Sequence, residues 1–397
     1  MMFLQKINRN HRIERIVWYI VSLILHPFLK IRKGRVLFVA YGGNQYSCNP
    51  RAISEYILSK CEDFEVVWLF TKNHIPEEIN PRIKIVEYLT IKAVLAINTS
   101  EFVVTNKRTD PWIFAWKKKK GQKYIMTWHG GRPLKKVELD AIDSLGPSYL
   151  KRMKNDSAYC DLFLSESRYT SNLYHNAFLY DGEILEKGIP RNDIFFDVKQ
   201  HAQIKKNVFN HFGIDRDFKV VLYAPTFRKN KNLDCYNIDW LNIIPALEKL
   251  LEGRVKVLIR LHPNFLGSSV DRSLLFSNEN LLEATTYNNF NDLIIASDMM
   301  ISDYSSCMFD FAFTKRPCFI YAVDSEKYER GFYMNLRDLP FPFAEDNEQL
   351  LCNILNFNIK AYQSSLQKCM DNMFGTFDTG HATKAVVDWM IERRLKC

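Results

Sequence analysis

A hydroxyl-rich turn near residue 303 has the residue types that a phosphate-binding site needs. The apolar residues 299–301 precede a Ser-Asp-Tyr-Ser-Ser run at 302–306, and a second apolar stripe begins at residue 308. This order predicts a buried strand, a short turn and a helix. The first turn of a helix has unpaired N–H groups and the positive end of the helix dipole, so it can bind a phosphate. Ser305 and Ser306 would cap this helix and donate to the anion, although an ordinary serine cap without a ligand has the same pattern.

A histidine with basic neighbours is the first candidate for proton transfer. His129 precedes Gly130 and Gly131, where a ligand can approach the backbone closely, and Arg132 and Lys135 follow. A histidine of near-neutral pKa can accept the proton of an attacking hydroxyl, and the cations beside it would hold an anionic substrate. The alternative is a structural histidine that is hydrogen-bonded to a loop carbonyl.

A second basic cluster lies later in the chain and suits the negative charge that develops in phosphoryl transfer. Arg228 and Arg260 offer planar guanidinium groups that match phosphate oxygens, and His262 could donate to the leaving phosphate. For these arginines the alternative is an ion pair with a nearby carboxylate. Arg191 and Asp193 either stabilise the junction between two domains or contact ligand, and the sequence does not decide between these roles.

The elements that must position these residues alternate between strand and helix. Their alternation predicts an α/β protein with two doubly wound domains, divided near residues 190–215, and a C-terminal helix that packs back across the junction. Ligands bind beyond the carboxyl ends of the strands in such sheets. Polar clusters follow four predicted strands and should converge on one cleft: residues 127–136, 225–228, 262–263 and 303–306. The predicted strands are residues 35–41, 65–70, 83–87, 102–105, 124–127, 161–164, 219–224, 255–261, 299–301 and 318–321.

Composition narrows the class of protein and of ligand. The chain has 397 residues, of which 47% are apolar, and a net charge of +9. It can therefore build two or three cores, and its charge favours a phosphate-rich substrate or an anionic membrane. The sequence has no nucleic-acid-binding motif, so nucleic acid is not expected as a partner. Its nine cysteines form no C-x-x-C pair, so a reducing cytoplasm fits, and neither a disulfide framework nor a metal site is expected.

Two segments have the composition of a membrane-contacting surface. Residues 16–29 are apolar and aromatic with basic residues on both sides, but this stretch is shorter than the roughly 20 residues of a membrane span. An interfacial helix is one interpretation, and a helix packed on the body of the protein is the other. The lysines at 117–120 follow three aromatic residues and suit anionic headgroups, although a solvated loop has the same composition.

The combination of motifs resembles the CDP-glycerol glycerophosphotransferase family, the teichoic acid glycerol-phosphate primases and polymerases. The resemblance runs from about residue 35 to the C-terminus. It rests on ordered motifs, which are Tyr46-Ser-Cys-Asn-Pro50, Thr127-Trp-His-Gly130, Pro133-Leu-Lys-Lys136, Gly188-Ile-Pro-Arg-Asn-Asp193, Tyr223-Ala-Pro-Thr-Phe-Arg228, Arg260-Leu-His-Pro263, Ser302-Asp-Tyr-Ser-Ser306 with Phe309-Asp310, Lys315-Arg-Pro317, Tyr321-Ala-Val-Asp324, and Tyr328 with Arg330-Gly-Phe-Tyr333.

The resemblance implies a GT-B-like fold, in which two Rossmann-like domains face a cleft. It implies transfer of glycerol phosphate from CDP-glycerol to a hydroxyl of a membrane lipid-linked acceptor, an undecaprenyl-type saccharide, with release of CMP. The product would be teichoic acid or a related cell-surface polymer such as a capsule. It also implies a peripheral enzyme on the cytoplasmic face of the bacterial cell membrane. No cofactor is expected beyond the donor substrate, and the oligomeric state is left open.

The expected domains are a membrane-associating helix (1–33), an acceptor domain (34–195), a CDP-glycerol-binding domain (196–380) and a C-terminal helix (381–397). The resemblance makes His129 the leading catalytic residue and His262 the second. The substrate-binding candidates are Gly130, Arg132, Lys135, Arg191, Asp193, Thr226, Arg228, Arg260, Asp303, Ser305, Ser306 and Asp310.

One departure from the family pattern leaves the donor open. Family members commonly have threonine after the His-Gly pair and then proline, whereas Gly131 and Arg132 stand between Gly130 and Pro133 here. The alternatives are therefore a CDP-ribitol or other polyol-phosphate transferase and a GT-B glycosyltransferase that uses a nucleotide sugar. A non-catalytic lipid-binding or scaffold protein on the same fold is the alternative from another functional class.

Overall fold

The chain forms two compact units. The computed structural model describes residues 2–109, 116–228, 236–261, 273–276, 278–325, 328 and 331–394. The first unit lies within Met1–His129, Glu138–Asp193 and Phe377–Cys397, and the second lies within Gly130–Val137 and Ile194–Thr376. The chain therefore passes from the first unit to the second directly after His129.

Seven parallel strands form the sheet of the first unit, in the order β3-β2-β1-β4-β5-β6-β7. The inner strands are almost wholly buried, as expected for a parallel sheet that is covered on both faces. The strands are β1 (Arg32–Val39), β2 (Glu65–Phe70), β3 (Lys84–Glu87), β4 (Ser100–Thr105), β5 (Lys123–Met126), β6 (Leu162–Ser165) and β7 (Glu183–Glu186).

Six parallel strands form the sheet of the second unit, in the order β10-β9-β8-β11-β12-β13. Strand β8 lies at the centre, and the strands that follow it are added first on one side and then on the other, which makes this sheet doubly wound. The strands are β8 (Lys219–Ala224), β9 (Val255–Ile259), β10 (Leu281–Glu283), β11 (Met299–Ser302), β12 (Cys318–Tyr321) and β13 (Phe343–Ala344).

Thirteen α-helices connect or cover these strands within the described residues. The last of them, α13, belongs to the first unit, where Val386 and Met390 pack into the same core as Ile53 of α2. The helices are α1 (Met2–Leu25), α2 (Cys48–Lys60), α3 (Ile91–Thr99), α4 (Ile142–Leu145), α5 (Pro147–Tyr159), α6 (Arg168–Asn176), α7 (Val198–Phe212), α8 (Trp240–Leu251), α9 (Phe290–Ala296), α10 (Cys307–Phe311), α11 (Asn347–Leu355), α12 (Ile359–Lys368) and α13 (Ala382–Glu392).

The predicted parallel α/β architecture is confirmed for both units, and strands β2, β8 and β12 begin and end where the sequence places them. The sequence analysis missed β7, β10 and β13. All three are edge strands of four residues or fewer, so they pair on one side only and lack a long apolar run. Strand β3 is a four-residue edge strand as well but was predicted, so a short length and an edge position make a strand harder to predict without hiding it in every case.

The N-terminal helix α1 packs against α3 through a buried polar contact. The amide Nδ2 of Asn98 donates to the hydroxyl of Ser22 at 2.9 Å, and both side chains are almost fully buried. Among the described residues, no helix combines the length and the apolar character that crossing a bilayer requires.

A buried ion cluster stabilises the first unit beside β5. Arg108 pairs with Glu138 and Asp156, each at 3.0 Å, and also donates to the Ser157 hydroxyl at 2.8 Å. Burial alone would lower the pKa of Arg108, but the two carboxylates outweigh that cost and raise this pKa above its ordinary value. Arg108 is therefore charged at neutral pH.

Removing the cation from this cluster should destabilise the first unit strongly. In Arg108→Met, Glu138 and Asp156 lose their counter-ion inside the protein, which should reduce the free energy of unfolding by about 3–5 kcal/mol. The matched control is Arg51→Met, because Arg51 pairs with Glu55 at the surface and should contribute at most about 0.5 kcal/mol. Urea unfolding curves of both variants measure the difference, and equal stabilities would contradict the assignment.

Candidate active site

His129 stands just beyond the end of β5, with its ring orientation set by the neighbouring strand. Its Nδ1 lies 2.7 Å from the carbonyl oxygen of Asn106, which directly follows β4. A carbonyl oxygen only accepts, so Nδ1 carries the proton in this hydrogen bond and Nε2 is the basic nitrogen of the neutral ring. The rings of Trp128 and Tyr41 lie 4.6 Å and 5.6 Å from the imidazole. The loop-carbonyl hydrogen bond that the structural alternative required is thus present, and it also fixes the tautomer of the ring, so a catalytic role for His129 stays a prediction.

Arg191 contacts the backbone of His129 rather than its ring. Its Nη1 donates to the carbonyl oxygen of His129 at 2.6 Å and lies 3.4 Å from the sulfur of Cys48. Asp193 serves a different element, because its carboxylate accepts from the backbone N–H groups of Ala382 and Thr383, at 3.0 Å and 2.7 Å, at the start of α13. Burial raises the pKa of Asp193. Both residues thus have roles inside the first unit, and a ligand role stays a prediction for each.

Asp303 organises the turn that follows β11 in the second unit. Its side chain is 2% exposed and accepts from the backbone N–H groups of Thr226, at 2.9 Å, and Tyr304, at 2.6 Å. Its second oxygen lies 2.9 Å from the guanidinium of Arg228. Asp303, Thr226 and Arg228 therefore form one bonded group, as their predicted convergence at neighbouring strand ends requires.

Arg228 is buried between two carboxylates and several aromatic rings. Besides Asp303, it pairs with Asp324 through two hydrogen bonds of 2.7 Å and 2.9 Å. Its guanidinium carbon lies 4.6 Å from the ring of Tyr304, which is a favourable cation–π distance. The ion pair that was the alternative interpretation of Arg228 is present, so this guanidinium holds the turn in place.

The serine pair lies at the start of α10 and is partly exposed. The hydroxyl of Ser305 accepts from the N–H of Cys307 at 3.4 Å, whereas the Ser306 side chain makes no capping hydrogen bond. Gly130 lies beside this serine, because a Cβ atom added to Gly130 would be 3.4 Å from the Ser306 hydroxyl, at the limit of ordinary van der Waals contact. Helix α10 has five residues and continues as a 3₁₀ turn, and Asp310 within it is 4% exposed.

The segment after His129 packs onto the second unit. Lys135 forms a β-bridge with Phe332, and its ammonium lies 5.8 Å from the ring of Tyr328. Arg132 is fully buried, donates to the Thr376 hydroxyl at 3.1 Å and lies over Phe313 at 5.5 Å. Arg132, one of the two residues that depart from the family pattern, is therefore held inside the protein.

Arg260 contacts a different loop from Arg228. Its Nη1 donates to the carbonyl oxygens of Ala284, at 2.9 Å, and Tyr287, at 2.6 Å. The predicted catalytic His262 lies outside the described residues, so its role stays a prediction. Over the ranges that are described, no three histidine, cysteine or acidic side chains come together as a group that could hold a metal ion.

Sequence reasoning missed three residues of this arrangement: Asn49, Asn106 and Asp324. Asn49 and Asp324 lie inside motifs on which the family resemblance rests, so their position in those motifs was an available indication. Asn106 contributes a backbone carbonyl to His129, and no residue type predicts such a contact.

The comparisons with known proteins identify the family. The family model for CDP-Glycerol:Poly(glycerophosphate) glycerophosphotransferase matches residues 20–392. The chain belongs to this family of transferases. A relative is the teichoic acid poly(glycerol phosphate) polymerase of Bacillus spizizenii, 28% identical over 393 residues, with 96% of each chain covered. The polymerase of the same name from Staphylococcus epidermidis is 31% identical over 92% of this chain, which spans 51% of that protein's length.

Solved structures agree with this family assignment. A variant of the wall teichoic acid polymerase TagF that was soaked with CDPG superposes with a TM-score of 0.81 at 27% identity, over 98% of this chain and 95% of that chain. The UDP-GlcNAc 2-epimerase of Neisseria meningitidis has a TM-score of 0.51 at 15% identity, over 90% of this chain and all of that chain. This second similarity shows the fold alone, which is two Rossmann-like units with parallel sheets.

Acid should weaken the second unit through Asp324. Burial opposes ionisation of this carboxyl, but hydrogen bonds from Arg228 and Tyr304 outweigh burial and lower its pKa below the ordinary 3.8. A carboxyl whose pKa is lower in the folded state stabilises the fold above its unfolded pKa, and that contribution is lost as the pH falls through the folded pKa. We expect Asp324→Asn to be less stable than wild type at neutral pH and to lose less stability below about pH 4, as measured by urea titration.

The control for this titration is Asp181→Asn, because the Asp181 side chain is 92% exposed. Its stability should follow that of wild type at every pH. An Asp324→Asn curve that also follows wild type would show that the pair with Arg228 does not contribute to acid sensitivity.

Proposed function

We propose that this transferase moves glycerol phosphate from CDP-glycerol to a hydroxyl of a membrane lipid-linked acceptor and releases CMP, in teichoic acid synthesis. Family membership and the names of the relatives support the donor and the polymer. The observation that carries the mechanism is the bond from His129 Nδ1 to Asn106, because it leaves Nε2 as the basic nitrogen.

In the proposed step, the acceptor oxygen forms a bond to the β-phosphorus of CDP-glycerol. The bond from that phosphorus to the oxygen bridging the two phosphates breaks, and CMP leaves with the electron pair. The proton of the acceptor hydroxyl passes to Nε2 of His129, which later releases it to solvent. His262 and Arg260 would stabilise the charge that develops on the phosphates. No cofactor beyond the donor substrate takes part in this proposed step.

The donor phosphates are proposed to bind to the second unit at the start of α10. Ser306 supports this assignment, because its hydroxyl makes no capping bond and its side chain is partly exposed. Lys135 supplies a cation in the same unit. In this proposal Arg228 and Asp303 keep the turn in the shape that presents the serines, rather than contacting the donor themselves.

We also propose peripheral attachment to an anionic membrane through α1 and the lysine-rich segment at 117–120. The Lys119 ammonium donates to the carbonyl of His26 at 2.5 Å and also to that of Leu29, so the two segments form one surface. Apolar side chains of α1 and the turn after it face solvent at helical spacing. These are Ile13, Ile16, Val17, Ile20, Leu23, Ile24 and Phe28, with exposures of 41–79%.

Loss of the His129 imidazole should abolish most of the activity. We expect His129→Ala to reduce CMP release from CDP-glycerol roughly a hundredfold or more, because a positioned general base contributes about that much. The assay includes CDP-ribitol and a UDP-sugar, which test the alternative donors. The matched control is His175→Ala, since His175 is a half-exposed histidine of the same unit that pairs with Asp181. Wild-type turnover in His129→Ala would remove this residue from the mechanism, and release of UDP alone would replace the proposed donor.

Membrane binding should need both the apolar face and the lysines. Replacing Ile16, Ile20 and Ile24 by serine removes apolar area from the bilayer contact, and Lys117→Glu with Lys120→Glu reverses two exposed charges. Each set should reduce sedimentation with phosphatidylglycerol vesicles, and added salt should weaken binding of the wild-type chain. The control is Leu241→Ser, because Leu241 is 78% exposed but belongs to the second unit. Undiminished sedimentation of the triple serine variant would reject α1 as the contact.

A further inference from the structure

Asn49 is a buried amide that contacts three backbone groups near His129 in the first unit. It lies in the first turn of α2 and has no exposed surface. Its Nδ2 donates to the carbonyl oxygens of Thr127, at 3.2 Å, and Trp128, at 3.1 Å. Its Oδ1 accepts from the backbone N–H of Arg191 at 3.0 Å. The side chain therefore uses both amide hydrogens and its oxygen on backbone groups.

The two carbonyls that Asn49 holds belong to the peptide groups on either side of the Trp128 Cα atom. Trp128 has φ = 51°, a left-handed conformation that is costly for a bulky residue and persists only where its surroundings hold it. Fixing both flanking peptides fixes φ and ψ of Trp128, and these angles direct the chain into His129. The Thr127 hydroxyl adds a further bond to the Trp128 carbonyl at 3.1 Å.

The third contact of Asn49, with Arg191, also helps to hold the backbone of His129 itself. Arg191, whose N–H binds the Asn49 oxygen, donates from its guanidinium to the His129 carbonyl at 2.6 Å. Three successive carbonyls, those of residues 127, 128 and 129, are thus held directly by Asn49 or by the residue bound to it. The imidazole can then keep its 2.7 Å bond to Asn106.

We propose that Asn49 is a positioning residue for the glycerophosphotransferase reaction: it holds Trp128 in its left-handed conformation so that His129 presents Nε2 as the base. This inference rests on the proposed function of His129. An aspartate at position 49 would keep the acceptor for Arg191, but it would lose both donors and place a carboxylate oxygen against two carbonyl oxygens. A serine would reach fewer of these partners. The chemistry therefore requires an amide of this length.

The test compares Asn49→Asp with Gln122→Glu. Gln122 is 1% exposed, and its amide donates to the carbonyls of Ile97 and Ser100 and accepts from a backbone N–H, so its bonding pattern matches that of Asn49. Gln122 directly precedes β5, whereas His129 lies beyond the other end of this strand. We expect both variants to lower the melting temperature, but only Asn49→Asp to reduce kcat roughly tenfold or more, with KM for CDP-glycerol within about twofold of wild type.

A spectroscopic readout separates this inference from the proposed function. In protein labelled with ¹⁵N-histidine, the His129 signals are assigned by their loss in His129→Ala, and those of wild type should show a proton fixed on Nδ1. In Asn49→Asp, and more mildly in Asn49→Ser, this pattern should give way to averaging between the two ring nitrogens. If wild type releases no CMP, the proposed function fails, and the ring signals still report whether Asn49 orients His129. An unchanged tautomer in a folded Asn49→Asp, or equal kcat losses in Asn49→Asp and Gln122→Glu, would overturn the inference.

Discussion

The hydrogen bond between the His129 imidazole and the Asn106 carbonyl depends on the pairing of two parallel strands. Asn106 follows β4 and His129 lies shortly after β5, and these strands are neighbours whose last paired residues are Thr105 and Met126. The register of the sheet thus brings a carbonyl to Nδ1. Since this contact decides which ring nitrogen is basic, the chemistry of the loop follows from strand pairing in the core.

Charged side chains of the second unit mainly stabilise its own loops. Arg228 lies between Asp303 and Asp324, and Arg260 binds two backbone carbonyls. Side chains that are bonded in this way fix the loop geometry before any ligand arrives, which reduces the cost of ordering a site on binding. Basic residues near a proposed phosphate site therefore need not touch phosphate to be required for its shape.

The sequence predicts the long, buried elements and the strand ends that bear polar clusters, because apolar runs and hydroxyl-rich turns are visible in the order of residues. It does not predict the edge strands β7, β10 and β13, which have two to four residues and no long apolar run. Among the site residues, His129 was identifiable from its neighbours. The contribution of Asn106 was not, since it is made by a backbone carbonyl. The motif that contains Asn49 indicated that residue but not its contacts, which depend on distances between segments that are far apart in the chain.

The hydrogen bond between Asn98 and Ser22 fixes the register of α1 on α3. A shift of α1 by one turn, or a rotation about its axis, would take the Ser22 hydroxyl away from the buried Asn98 amide and leave that amide with its donation to the Val94 carbonyl of its own helix. One polar pair in a helix contact of this kind disfavours alternative alignments, as a single asparagine does in a coiled coil. The apolar stripe of α1 consequently keeps a constant direction relative to the sheet of the first unit. Any surface that binds this stripe therefore meets the first unit in one defined orientation.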